Sequence, residues 1–185
     1  DMLRATFDLS QLDRTMEFLF DHCEEDLGDD VLAIIKGLCF YRKCDLAVAV
    51  FEFVRRRRYG GRPVLSNSTV AVMLTMLGKE RRATMAAALF YSLTEEGFAL
   101  DVYSYTALIT ACSRNGKYRD AVGVFNKMEE DGCRPTLITY NVILNVYGKM
   151  GMPWSKVVAL VESMKKEGIK PDEYTYNTLI SCCRR

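Results

Sequence analysis

Three short stretches set a polar side chain directly after a tyrosine in nearly the same local setting. They are Tyr105-Thr106, Tyr140-Asn141 and Tyr176-Asn177, spaced 35 and then 36 residues apart. An asparagine amide both donates and accepts hydrogen bonds, so its chemistry is recognition. Read alone, such a residue is an ordinary polar group on the solvent side of a helix. Residues for catalysis or metal binding are sparse by comparison. The single histidine, His22, reads as a partly exposed helix residue. Seven cysteines occur with no C-x-x-C spacing, and Cys182 and Cys183 are adjacent. That pattern supports neither a disulfide framework nor a zinc site, and reduced thiols in an intracellular compartment are expected. Acidic groups such as "CEED" and "EED" sit at predicted helix ends, where solvated acids are commonplace. With no nucleophile–base constellation and no Gly-rich phosphate loop, neither an enzyme nor a bound metal or cofactor is expected.

Composition narrows the class further. The 185 residues are 49% hydrophobic and 26% charged, enough to build a core. No apolar run approaches the ~18 residues of a membrane span, so no membrane association is expected. The formal net charge is +1, which withholds the direct hint of nucleic acid that a strongly basic chain gives. Basic residues do cluster at Arg55-Arg56-Arg57-Arg58, Arg62, Lys79, Arg81 and Arg82, and read as solvated helix ends favoured by the helix dipole. The N-terminus has neither a signal-peptide core nor a transit-peptide composition, so any targeting segment is expected outside this sequence.

The polar residues need elements to position them, and the apolar pattern supplies those elements. One helical face, i, i+3, i+4, i+7, recurs along the chain. It reads Val31, Ile34, Ile35, Leu38; then Val70, Met73, Leu74, Leu77; then Tyr105, Leu108, Ile109, Cys112. It continues as Tyr140, Ile143, Leu144, Tyr147 and Tyr176, Leu179, Ile180, Cys183. A second helix follows each of the first four, with faces Ala47, Val50, Phe51, Val54 and Ala86, Leu89, Phe90, Leu93. The later two read Ala121, Val124, Phe125, Met128 and Val157, Leu160, Val161, Met164. Gly97, Gly132 and Gly168 follow second helices, where glycine takes the left-handed conformation. Gly116 and Gly151 separate the helices within a unit, and Pro135 and Pro171 stop propagation. Asp101 and Asp172 stand at capping positions.

These signals predict an all-α chain, an α-solenoid (superhelix) of tandem helix–turn–helix repeats of about 35 residues. The units are 28–66, with a loop lengthened around "RRRRYGGRPVLS", then 67–101, 102–136 and 137–172, the last with an extra residue beside Pro153. Residues 173–185 form the first helix of a further repeat. Residues 1–27 hold an earlier helix with Met16, Leu19, Phe20 and Cys23 on one face. A helix pair cannot bury both faces alone, so neighbours must stack. Ending after an unpartnered first helix, the chain is expected to be a piece of a longer array, whose exposed repeat ends would favour oligomers.

The tetratricopeptide opening W-x₂-L-G-x₂-Y is absent, and Trp154 reads as part of an inter-helix turn. The stretches "LITYNVIL", "EYTYNTLI" and "VYSYTALI", with endings "EEDGCRPT" and "KKEGIKPD", resemble the pentatricopeptide repeat, whose P-class of uniform repeats is the nearest subclass. The resemblance covers residues 28–185 and is strong over 102–185; units 28–66 and 67–101 are degenerate. It implies a plant organelle protein, in the chloroplast or alternatively the mitochondrion, that binds single-stranded RNA for RNA processing. It also implies one base read per repeat by two or three side chains. Transferred by position, the base-reading residues are Asn141 with Asp172, implying uracil, and Thr106 with Thr136, leaning to purine. Asn177 begins another reader. Ala71 with Asp101 and Leu32 with Ser66 are poor readers. Tyr103, Ile138 and Tyr174 are implied to pack on base faces. A second reading is a scaffold for protein–protein interaction with no RNA contact here, its partner docking at the degenerate N-terminal repeats.

Overall fold

The computed structural model describes Arg14, Glu17 and residues 27–55, 57–59 and 62–183. The helix expected over 1–27, with Met16, Leu19, Phe20, His22 and Cys23, and Arg56 of the arginine run lie outside the described residues. Nine helices occur among the described residues, with one two-stranded ribbon. They group into two compact units that divide between Met73 and Leu74. No described helix is long and apolar enough to cross a membrane.

In the first unit, α1 (Leu27–Phe40) and α2 (Cys44–Arg55) form a hairpin. Val31 and Ile35 are buried from α1, and Ala47, Val50, Phe51 and Val54 from α2, following the 3.6-residue period. The lengthened loop is not wholly irregular: β1 (Arg58–Tyr59) and β2 (Arg62–Pro63) pair antiparallel, Tyr59 opposite Arg62. Within the arginine run Arg55 is more enclosed than its composition suggests, whereas Arg57 is exposed. Arg55 lies 3.3 Å from Glu52, and Arg57 lies 3.4 Å from Glu17. The Arg57 guanidinium also stacks over the Phe53 ring, 4.5 Å from its centre.

Helix α3 (Asn67–Lys79) leads to α4 (Ala83–Glu95), α5 (Val102–Arg114) and α6 (Tyr118–Glu130). Then follow α7 (Leu137–Met150), α8 (Trp154–Lys166) and α9 (Glu173–Cys183). Trp154 is therefore the first residue of a helix, not part of the turn; Pro153 occupies the cap position with the fixed φ that suits it. In the second unit, Leu108, Ile109 and Cys112 of α5, Ile143 and Leu144 of α7 and the predicted faces of α4 and α6 are buried. So are Val157, Leu160 and Met164 of α8. Two of the second helices, α4 and α6, hand an aromatic ring to the next first helix. Phe90 meets Tyr105 edge-on at 4.9 Å, and Phe125 meets Tyr140 at 5.8 Å. On α9 the same face is left uncovered, with Tyr176 and Ile180 exposed.

All four turns within helix pairs close alike. The residue after the left-handed position donates its N–H back across the turn: Lys43 to Leu38, Arg82 to Leu77, Lys117 to Cys112 and Met152 to Tyr147. The left-handed residue is glycine in the two later turns, Gly116 (φ 73°) and Gly151 (φ 64°), but Arg42 (φ 57°) and Arg81 (φ 62°) in the earlier two. A side chain there costs roughly 1 kcal/mol relative to glycine.

Candidate nucleic-acid interface

The residues singled out by position gather at the N-terminal ends of the first helices, and the caps put them there. Thr136 stands at the N-cap of α7 in extended backbone. Its hydroxyl takes the Thr139 N–H at 3.4 Å, and the Thr139 hydroxyl takes the Thr136 N–H at 3.1 Å, a reciprocal capping box. Asp172 makes the same exchange with Thr175 at the start of α9, at 2.8 and 3.1 Å. Asp101 caps α5 through the Ser104 N–H at 2.9 Å. The residues expected to complete readers are thus N-caps of the following helix.

Asn141 and Asp172 come together. The Asn141 Nδ2 donates to Asp172 Oδ1 at 3.2 Å, and Asn141 Oδ1 lies 2.7 Å from the Thr175 hydroxyl. Asn141 is only 7% exposed, so it is not the solvent-facing polar residue of the plain reading. The Thr175 N–H, then its hydroxyl, then the Asn141 amide hold the Asp172 carboxyl below its ordinary value. At neutral pH the junction carries a full negative charge, and Asp172 accepts hydrogen bonds only.

Thr106 and Thr136 behave differently from the expected pair. Thr106 Oγ1 bonds to Thr139 Oγ1 at 2.8 Å, and Thr139 in turn bonds to Thr136 at 3.1 Å. Thr139 therefore stands between them, because the threonine side chain is too short to reach the cap as Asn141 does. Asn177 is exposed on α9. Sequence reasoning missed Thr139 and Thr175, although the spacings T-x-x-T at 136–139 and D-x-x-T at 172–175 signal capping boxes. Ser104, which occupies the same third helical position in α5, is fully buried, and its hydroxyl has no hydrogen-bond partner among the described residues.

Neighbouring tyrosines fix the helical phase of these groups. The Tyr105 hydroxyl donates to Asp131, which also lies 3.1 Å from Lys127. Burial, followed by that bond, drives the Tyr105 phenol upward from its ordinary value. The Tyr140 hydroxyl lies 3.4 Å from the Ser163 hydroxyl. Each tyrosine is anchored on the second helix of its own pair, while the next residue meets the following helix. The residues implied to face bases stand second in their helices. Tyr103, Ile138 and Tyr174 are 70%, 66% and 55% exposed, large apolar surfaces held out from successive first helices.

Comparisons with known proteins bear on the repeat and the fold that carry these residues. A pentatricopeptide repeat domain matches residues 88–150, and the PPR repeat family matches residues 135–185. A pentatricopeptide repeat-containing protein of Arabidopsis thaliana is 54% identical over all of this chain and 23% of its own length. Pentatricopeptide repeat-containing protein 10, chloroplastic, of Zea mays is 33% identical over 91% of this chain and 21% of its own. The chain thus spans about a fifth of the length of the curated relatives it matches. Among solved structures, PPR10 in complex with an 18-nt psaJ RNA element aligns at a TM-score of 0.66 and 31% identity. That alignment covers 96% of this chain and 25% of PPR10. The PPR domain of Arabidopsis protein-only RNase P 1, in complex with tRNA, shares the fold at a TM-score of 0.67 with 14% identity. By its repeated helix pairs, its repeat signature and these relatives, the chain belongs to the pentatricopeptide repeat family.

Proposed function

We propose that this chain is a section of a sequence-specific single-stranded RNA-binding array of organelle RNA metabolism, reading about one base per repeat. The observation that carries the reading is the Asn141–Asp172 contact at 3.2 Å, a nearly buried amide anchored on one side by a carboxylate. Its unused hydrogen-bonding capacity suits the edge of a base. The exposed Ile138 belongs to the helix that carries Asn141 and the exposed Tyr174 to the next first helix, where base faces can pack; aromatic stacking contributes about 1–3 kcal/mol per base. The repeats run 28–66, 67–101, 102–136 and 137–172, and 173–185 opens another. Asn141 with Asp172 reads uracil, Thr106 with Thr136 leans to purine, and Asn177 belongs to a further reader. Support for an RNA partner comes from PPR10, a relative solved with an RNA element. Support for the chloroplast comes from relatives named chloroplastic. The chain contributes binding rather than catalysis.

A selection from a random single-stranded RNA pool, at several salt concentrations, tests the reading. An enriched motif with steep salt dependence is expected, because phosphate contacts release counterions. Asn141→Thr changes preference at one base of that motif. Binding that is absent at low salt, or a motif indifferent to Asn141, contradicts it. A protein-docking role for unit 28–66 has one observation of its own: Phe40 and Tyr41 hold an edge-on, exposed aromatic pair at the tip of the first hairpin. A partner bound there would be lost in Phe40→Ser and insensitive to the RNA.

A further inference from the structure

We propose that Thr175, on the helix following Asn141, is a positioning residue that fixes which way round the Asn141 amide meets a base. The inference rests on the reading of Asn141 as a base contact. A carboxamide has two nearly isosteric ends, one donating and one accepting, and an unrestrained amide presents either order.

At this junction the surroundings are not symmetric. Asp172 Oδ1 takes the Thr175 N–H at 2.8 Å and lies 3.2 Å from Asn141 Nδ2. An amide oxygen turned towards that carboxylate would meet an acceptor. Thr175 closes the other side. Its oxygen already accepts the Asp172 N–H at 3.1 Å, so its single proton remains to be donated. Two oxygens share that proton, Asn141 Oδ1 and Asp172 Oδ1, both at 2.7 Å. Asp172 has the Thr175 N–H and the asparagine amide as donors, whereas Asn141 Oδ1 has Thr175. The threonine, itself fully buried, thereby holds the oxygen end of the amide away from the cap. One N–H and one lone pair of Asn141 are left over, in a fixed order.

That order has a chemical meaning. Uracil and guanine present a carbonyl beside a ring N–H, whereas cytosine and adenine present an amino group beside a bare ring nitrogen. Turning the amide over exchanges the two classes. The Asn141 reader is therefore completed by the third residue of the next helix as well as by its cap. At the preceding junction there is no such order to hold. Thr106 offers a single hydroxyl, with no second end to exchange, against Thr139 at 2.8 Å.

The test uses single-stranded RNA oligonucleotides of the selected motif carrying U, C, A or G at the base that responds to Asn141. Each is titrated with wild type, Thr175→Val, Thr175→Ser and Asn141→Ala, with thermal melts run alongside. Thr175→Val keeps the shape and removes the hydroxyl, and the affinity ratio between keto and amino bases should fall by about three- to tenfold, the worth of one hydrogen bond. Thr175→Ser should retain the wild-type ratio. If Thr175→Val keeps that ratio, or weakens all four oligonucleotides alike, Thr175 is only a capping residue and the proposal is overturned. If Asn141→Ala leaves the ratio unchanged, base reading itself fails, and this inference with it.

Discussion

The junction of α5 with α7 and that of α7 with α9 share one backbone plan and differ in their side chains. Each places the fifth residue of a first helix against the third residue of the next, which is itself locked to an N-cap. In one the chain of groups is Thr106, Thr139, Thr136, neutral throughout. In the other it is Asn141, Thr175, Asp172, with the amide long enough to touch both partners and the cap ionised. The cap and the third residue serve the helix whichever way they are written, since either an aspartate or a threonine satisfies the orphan N–H groups. On the proposed reading, specificity can thus vary on a scaffold whose stability does not depend on it.

The largest expected effect comes from how closely the first helices approach. A β-carbon at Gly78 would lie 2.6 Å from Ala111 Cβ and 2.7 Å from its Cα, so the α3 and α5 backbones would have to separate. At Gly148 it would meet only the Cys182 thiol, at 2.7 Å, which can rotate. Gly78→Ala should cost about 1–3 kcal/mol in chemical unfolding. Gly148→Ala should cost much less, offset by better helix propensity. Equal losses would mean that the two junctions are packed alike.

Removing a cap is the next effect in size. Thr136→Ala should lower stability by about 1 kcal/mol, whereas Thr136→Asp should leave melting almost unchanged, because either side chain caps α7. A loss from Thr136→Asp equal to that from Thr136→Ala would break the equivalence of the two caps. Smaller still is the left-handed turn. Arg81→Gly should raise stability by up to about 1 kcal/mol, and Gly116→Ala should lower it by a similar amount. The smallest effect is the acid response. Asp172 is held below its unfolded value, so its contribution is present above that value, near 3.9, and is lost as pH falls through the lowered one. The neutral Thr136 cap has no such dependence. Hydrogen-exchange protection, relative to the unfolded chain at the same pH, should fall at the start of α9 on acidification before it falls at the start of α7.

Much of this was legible in the spacing of apolar residues. A helix buries one side, so Tyr140, Ile143 and Leu144 announce their face without tertiary knowledge, and glycines mark the turns. The two earlier turns were harder, because Arg42 and Arg81 occupy a conformation that glycine would have advertised. Asn141 and Asp172 could be named by position, but their joint contact with Thr175 could not. Thr175 reads locally as a capping residue, and only the stacking of one helix pair on the next brings its hydroxyl to the amide. Thr106 failed to meet Thr136 for the complementary reason, a side chain one atom shorter than asparagine. Trp154 was misplaced because Pro153 resembles a turn signal as much as a helix start.

The central claim is that a junction, once written, reads a base wherever it stands in the array. It is tested most directly by rewriting the α5–α7 junction in the image of its neighbour, with Thr106→Asn and Thr136→Asp together. RNA selected by this double variant from a random pool would be sequenced beside that selected by wild type. The base preferred by the Asn141 junction should then appear at two adjacent positions, with the rest of the motif unaltered. A motif identical to that of wild type, from a variant that folds and binds, would contradict it.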